Sequence, residues 1–294
     1  MNASIALRRA MPGAVLALLL AAAPAYSSPP APPGAETAEQ VSPLRLEINV
    51  PAYRLDAFVD GERVATYPVT IGKRWEPTDP GHHQIRTVIW NPWWHPPANR
   101  RPKDKVTPPG PRNPMGRVKL NLRGLYYIHG TALDDQIGRA MSRGCVRMRN
   151  EDAVALAQLV HRYAGPELAP GALDALVRDP RRTRHLKLAM PVDVQIVYRV
   201  AEVRDDRLEI HKDVYGLEAR PLADLAAAAL AASGVPVERV DREALAAALD
   251  GKPAAGLPVA ALLLPEGGVP APGDPALEPV TSAARAPSVA PAGR

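Results

Sequence analysis

The sequence contains one cysteine, Cys145, in 294 residues. No disulfide can form within the chain, so packing rather than covalent cross-linking must hold the fold. Phenylalanine also occurs once, and aromatic residues make up only 4%. Hydrophobic residues still reach 46%, so a sizeable core must be built mainly from aliphatic side chains. Long apolar runs are missing too: residues 14–23 are too few to span a bilayer. There is no internal repeat, which excludes solenoid and propeller architectures. Apart from Arg181-Arg182-Thr183-Arg184 there is no basic tract. The net charge of +5 and pI near 9.4 therefore describe a solvated surface loosely attracted to polyanions, not a nucleic-acid footprint. His82, His83 and His95 lie near one another in sequence, but no H-E-x-x-H or other tight ligand spacing occurs. Neither a metal nor a cofactor is expected.

The chain opens with Arg8 and Arg9, then the short apolar run, then Ala23-Pro24-Ala25. That order reads as a cleaved export signal over residues 1–25. It predicts a periplasmic mature protein with no stable membrane insertion. Residues 26–42 read as a Pro- and Ala-rich linker, and 265–294 as a disordered tail rich in the chain's 34 prolines. Between them, residues 44–217 read as a mainly β domain with few helices. The run 44–50 alternates apolar and polar residues. Segments 55–59 and 64–71 flank Asp60-Gly61-Glu62-Arg63 as a hairpin. Runs at 84–90, 118–122, 126–128 and 192–200 continue the β pattern, and 208–211 is expected to pair with 192–200 across the Asp205-Asp206 turn. Asn150 is expected to cap a helix over 153–163. Residues 218–264 read as an Ala-rich helical extension with helices at 222–232 and 242–249.

An exported chain has little use for an exposed odd thiol, so Cys145 stands out. It sits in Ser142-Arg143-Gly144-Cys145-Val146-Arg147-Met148, just upstream of the expected helix. Gly144 permits close backbone approach, and the two flanking arginines are expected to favour a thiolate. His129 ends a β run before Gly130-Thr131. Together Cys145 and His129 make a minimal nucleophile–base pair. This stretch, Ile128-His129-Gly130-Thr131 followed by Ile137-Gly138-Arg139-Ala140-Met141-Ser142-Arg143-Gly144-Cys145-Val146-Arg147-Met148, resembles the signature of the YkuD-type L,D-transpeptidase catalytic domain. The resemblance extends over about residues 44–217 and is nearest to the larger Gram-negative members. Two departures stand out: Arg143 occupies a position where the family often has histidine, and Thr78-Asp79-Pro80-Gly81 shifts the proline of an early Thr-Pro-x-Gly element by one.

The resemblance implies a β-sandwich or barrel-like fold and a cysteine acyltransferase. Cys145 would be the nucleophile, His129 the general base and then acid, and the Gly130 carbonyl the group that orients the imidazole. Backbone N–H groups of Gly144 and Cys145 would form the oxyanion hole. Arg147, Arg143, Ser142, Tyr127 and Trp94 are the expected substrate-binding residues. Arg147 remains open between a substrate carboxylate and a surface ion pair. The four tryptophans, Trp75, Trp90, Trp93 and Trp94, remain open between groove wall and local core, with Trp90 assigned to the core. The implied partners are peptidoglycan stem peptides and, as one acceptor, an anchored envelope protein; no nucleic-acid partner is implied. Hydrolysis on the same site, or wall binding without catalysis, are the competing readings.

Overall fold

The computed structural model describes residues 42–96, 105–250 and 256–264. The expected signal peptide, the linker up to residue 41 and the tail lie outside the described residues. The first strands are β1 (Leu44–Asn49), β2 (Arg54–Val59), β3 (Glu62–Pro68), β4 (Ile71–Gly72) and β5 (Gly81–Trp90). They are followed by β6 (Val118–Arg123), β7 (Tyr126–Thr131), β8 (Ala140–Ser142) and β9 (Val146–Arg149). Helices α1 (Asn150–Ala164) and α2 (Ala172–Arg178) precede β10 (Arg184–Val197), β11 (Ala201–Arg204) and β12 (Arg207–Ile210). Helices α3 (Leu222–Ala232) and α4 (Arg242–Leu249) and strand β13 (Leu257–Pro258) end the described chain.

Eight strands form one mixed sheet in the order β3-β2-β1-β10-β5-β6-β7-β9. Its two ends nearly meet. Thr70, just past β3, exchanges backbone hydrogen bonds of 2.8 and 2.9 Å with Arg147 of β9. The expected barrel-like architecture is thus reached by joining what would otherwise be exposed sheet edges. Helix α1 fills the interior. Its buried residues Ala153, Leu156, Ala157, Val160, His161 and Ala164 recur at helical spacing and pack with Leu46, Ile48, Ile85, Leu120 and Ile128 from the strands. Trp90 is fully buried there, as expected; its indole N–H donates to His161 Nε2 at 3.0 Å.

Three local expectations need correction. Asn150 does not cap α1 with its side chain, because its Oδ1 accepts instead from the Arg117 backbone N–H at 2.9 Å. Strand β12 pairs with β11, not with β10. The Asp205-Asp206 turn forms, at φ values of 49° and 57°, but it closes a hairpin in a separate three-stranded sheet, β11-β12-β13. Helix α2 and the start of β10 at Arg184 were not legible, since no clear period marks either.

That second sheet packs with α3 and α4 around its own core of Leu208, Ile210, Ala226, Leu230, Val240, Leu245, Leu249 and Leu262. A charged network joins it to the main sheet. Arg54 of β2 binds Asp56 and Glu202 at 2.7 Å each and Glu209 at 3.2 Å. Arg204 of β11 reaches back to Asp56 at 2.8 Å, and His211 binds Glu202 at 2.8 Å. Burial opposes the charge on Glu202, yet His211 and Arg54 hold its pKa down to about 2. Among the described residues Glu202, Glu209 and His211 form the one group with metal-ligand proximity. Arg54 already supplies the positive charge between the two glutamates, so the group is explained as an ion-pair network. No described helix is long and apolar enough to cross a membrane.

Candidate active site

The site lies at the junction of β6, β7 and β9. Strand register places Lys119 opposite His129 and His129 opposite Arg147. Residues in register on adjacent strands share a sheet face, so the His129 imidazole sits between two cationic side chains. Cys145 directly precedes β9 and opens onto the same cleft of about 630 Å³. Trp94, Tyr127, Arg143 and Arg147 also line that cleft. Each of these sequence-predicted residues therefore lines the same cleft as Cys145 and His129.

His129 is 1% exposed. Its Nδ1 lies 2.7 Å from the Gly130 carbonyl oxygen. A carbonyl only accepts, so Nδ1 carries the proton and Nε2 holds the basic lone pair. Burial, reinforced by Arg147 and Lys119, pulls its pKa down to about 4, against the bond to Gly130. Gly130 has no room for a side chain: a β-carbon would fall 2.4 Å from Asn150 Oδ1. The same asparagine oxygen holds the Arg117 N–H, so the helix start at residue 150 packs against Gly130.

The cysteine loop is held from within. Ser142 Oγ donates to the Cys145 carbonyl at 2.5 Å and accepts from the Gly144 N–H at 3.2 Å. Gly144 adopts φ +98°, and a β-carbon there would approach the Tyr126 ring to 2.5 Å. Only glycine fits. Two expectations change here. Ser142 is fully buried and shapes the loop, so it is not positioned to touch substrate. Of the two expected N–H donors, that of Gly144 is already engaged by Ser142 Oγ at 3.2 Å.

Burial raises the Cys145 pKa despite the opposing effects of the Tyr127 backbone N–H, Arg147 and Lys119. The resting pair is therefore a neutral thiol beside a neutral imidazole, not the thiolate expected from two flanking arginines. Arg143 does not contribute: its exposed guanidinium lies 3.4 Å from Glu76 at the cleft rim. Arg147 donates to Gln136 Oε1 at 2.9 Å and lines the cleft. Trp75 and Trp93 form the exposed part of the wall, whereas Trp94 is 8% exposed. His82 and His83 belong elsewhere, in a shallower hollow of about 720 Å³ along β5 and β6.

Three contributors were given no role from the sequence. Lys119 became relevant only through strand register. Thr78 became relevant through its contacts: its Oγ1 accepts from the Gly72 N–H and donates to the Gly144 carbonyl, both at 2.9 Å. Tyr215 Oη accepts from the Thr78 N–H at 3.0 Å and donates to the Gly72 carbonyl at 2.9 Å. A residue 70 positions downstream thus supports the cysteine loop through Thr78.

Comparison with known proteins identifies a family. The model of the YkuD family, described as the L,D-transpeptidase catalytic domain, matches residues 43–193, just over half the chain. The chain is 32% identical over 129 residues to a putative L,D-transpeptidase YkuD of Bacillus licheniformis, covering 44% of this chain and 67% of that protein. It is 42% identical over 81 residues to the probable L,D-transpeptidase YbiS of Escherichia coli K12, covering 28% of this chain and only 23% of that protein. Among solved structures, an L,D-transpeptidase from Mycobacterium smegmatis aligns at a TM-score of 0.35 and 15% identity, over 52% of this chain and 59% of that one. With the family match spanning the whole β6–β9 site, the chain belongs to the YkuD family of L,D-transpeptidase catalytic domains.

Proposed function

We propose that the chain is an exported cysteine L,D-transpeptidase acting on peptidoglycan stem tetrapeptides in the periplasm. The observation that carries this reading is the convergence of Cys145 and a buried His129, with Nδ1 tied to Gly130, on one cleft. A base with its proton fixed on Nδ1 can take the thiol proton at Nε2 only as attack begins. In this reading Cys145 Sγ attacks the carbonyl at the L-centre of the diamino acid while its proton passes to His129. The oxyanion accepts from the Cys145 N–H. Such a donor is worth about 3 kcal/mol in the transition state. His129 then protonates the departing D-Ala amine and the C–N bond breaks, leaving a thioester on Cys145. An acceptor amine gives up a proton to His129, attacks the thioester and releases the thiol. A second stem peptide as acceptor gives a cross-link, a protein lysine gives an anchored envelope protein, and water gives a shortened stem.

The low basicity of His129 fits this sequence. An imidazole that stays neutral in the resting site is available as a base across the pH range of the periplasm. The test is mass analysis of muropeptides after incubation with the full chain. A new dimer is the expected product, and Cys145→Ala is expected to lose it entirely. Products persisting in that variant would overturn the assignment of the nucleophile, and shortened stems alone would make the enzyme a hydrolase.

A further inference from the structure

Three cations reach the cleft, and they differ in what holds them. Arg143 pairs with Glu76, and Arg147 donates to Gln136. Lys119 has no comparable acceptor. Its ammonium lies 4.7 Å from the centre of the Tyr127 ring, a contact that satisfies charge but none of its three N–H donors. Among the described residues no carboxylate acts on it; the one acidic group that does is Cys145, when it is deprotonated. It is half-buried, and burial depresses its pKa. A partly desolvated ammonium without an acid partner is stabilised by an anionic ligand. Its register opposite His129 fixes where that ligand would lie: beside the base, on the cleft face of β6.

We propose that Lys119 forms a carboxylate-binding subsite beside the nucleophile and selects acyl donors that carry a free carboxylate next to the scissile bond. The preference for an anion at Cys145 follows from the side chains alone. Identifying that anion as the terminal carboxylate of the stem peptide rests on the function proposed above. In that setting Lys119 is a specificity-determining residue: its ammonium receives the carboxylate of the leaving D-Ala, while Arg147 remains anchored to Gln136. An amidated terminus has nearly the same shape but no negative charge, so it forgoes the ion pair with Lys119.

The two parts are tested separately. Cys145 in the full chain is alkylated with iodoacetate, which is anionic, and with iodoacetamide, its neutral analogue. The ratio of the two rates cancels any change in thiol ionisation. Lys119→Met is expected to lower that ratio about tenfold, the value of a charge-assisted contact, and Lys119→Arg to preserve it. A ratio unchanged in Lys119→Met overturns the anion subsite. Should Lys119→Met not fold, Lys119→Gln gives the same comparison. Turnover of tetrapeptides with a free or an amidated C-terminus then reads the substrate: the wild type is expected to favour the free acid through KM, and Lys119→Met to lose that preference. A shifted alkylation ratio with neither peptide turned over would leave the subsite standing and refute the transpeptidase reading instead.

Discussion

Replacing Thr78 with valine tests whether the cysteine loop is positioned from outside its own sequence. Thr78 is 2% exposed, and valine keeps its volume and branching. The substitution removes only the hydroxyl, and with it two bonds of 2.9 Å, one from the Gly72 N–H and one to the Gly144 carbonyl. Both glycines are buried, so neither group can turn to water instead. Leaving a buried backbone group without its partner costs about 1–3 kcal/mol, with carbonyls at the lower end. The expected loss is therefore about 2–4 kcal/mol, read as a lower urea midpoint at unchanged m-value. Hydrogen exchange at the Gly72 amide should quicken in parallel, and the rate of Cys145 alkylation should change because its loop is no longer pinned. Thr78→Ser, which keeps the hydroxyl, is expected to recover most of the loss. A valine variant within about 0.5 kcal/mol of wild type, the range of an ordinary surface change, would refute the reasoning.

Acid should weaken the fold in a defined window. His129 has a pKa of about 4 in the folded chain against 6.5 ordinarily, so the unfolded chain takes up the proton first. Stability is then complete above about pH 6.5 and declines as pH falls towards 4, by about 3 kcal/mol for this residue. Urea midpoints measured across that range should fall with acid, and His129→Gln should flatten the slope. His161, also near 4 because it is buried, acts in the same direction and should leave a residual slope in that variant. The charged network at the second sheet gives a further prediction. Arg54→Met removes the cation shared by Asp56, Glu202 and Glu209 and should cost about 3 kcal/mol. Limited proteolysis should then release the segment after residue 200 sooner, and an unchanged cleavage rate would mean that the apolar contacts alone hold the two cores together.

Much of the site was legible because its chemistry is local in sequence. The loop Ser142-Arg143-Gly144-Cys145 shows both the lone thiol and the glycine that its backbone conformation requires. His129 next to Gly130 shows an imidazole beside the carbonyl that accepts from its Nδ1. Alternation of apolar and polar residues marked β1, and the Asp60-Gly61 turn marked β2 and β3 as a hairpin. Asn150 shows the limit of such reading. An asparagine before a helix is a good cap by type, yet here a competing tertiary acceptor role, to Arg117, takes its side chain.

The sequence by itself determined the chemical inventory: one thiol free of any disulfide partner, a histidine sixteen residues before it, a mainly β pattern, and an Ala-rich helical extension. Tertiary structure decided which charges act on that thiol and what holds its loop. Arg143, adjacent to the cysteine in sequence, points to the rim and pairs with Glu76. Lys119, twenty-six positions away, faces the thiol because β6 lies beside β7 in one register. The physical reason is that local chemistry depends on neighbours along the chain, whereas the electrostatic environment depends on neighbours in space. Strand register sets those spatial neighbours, and a shift of one residue would turn Lys119 to the opposite face.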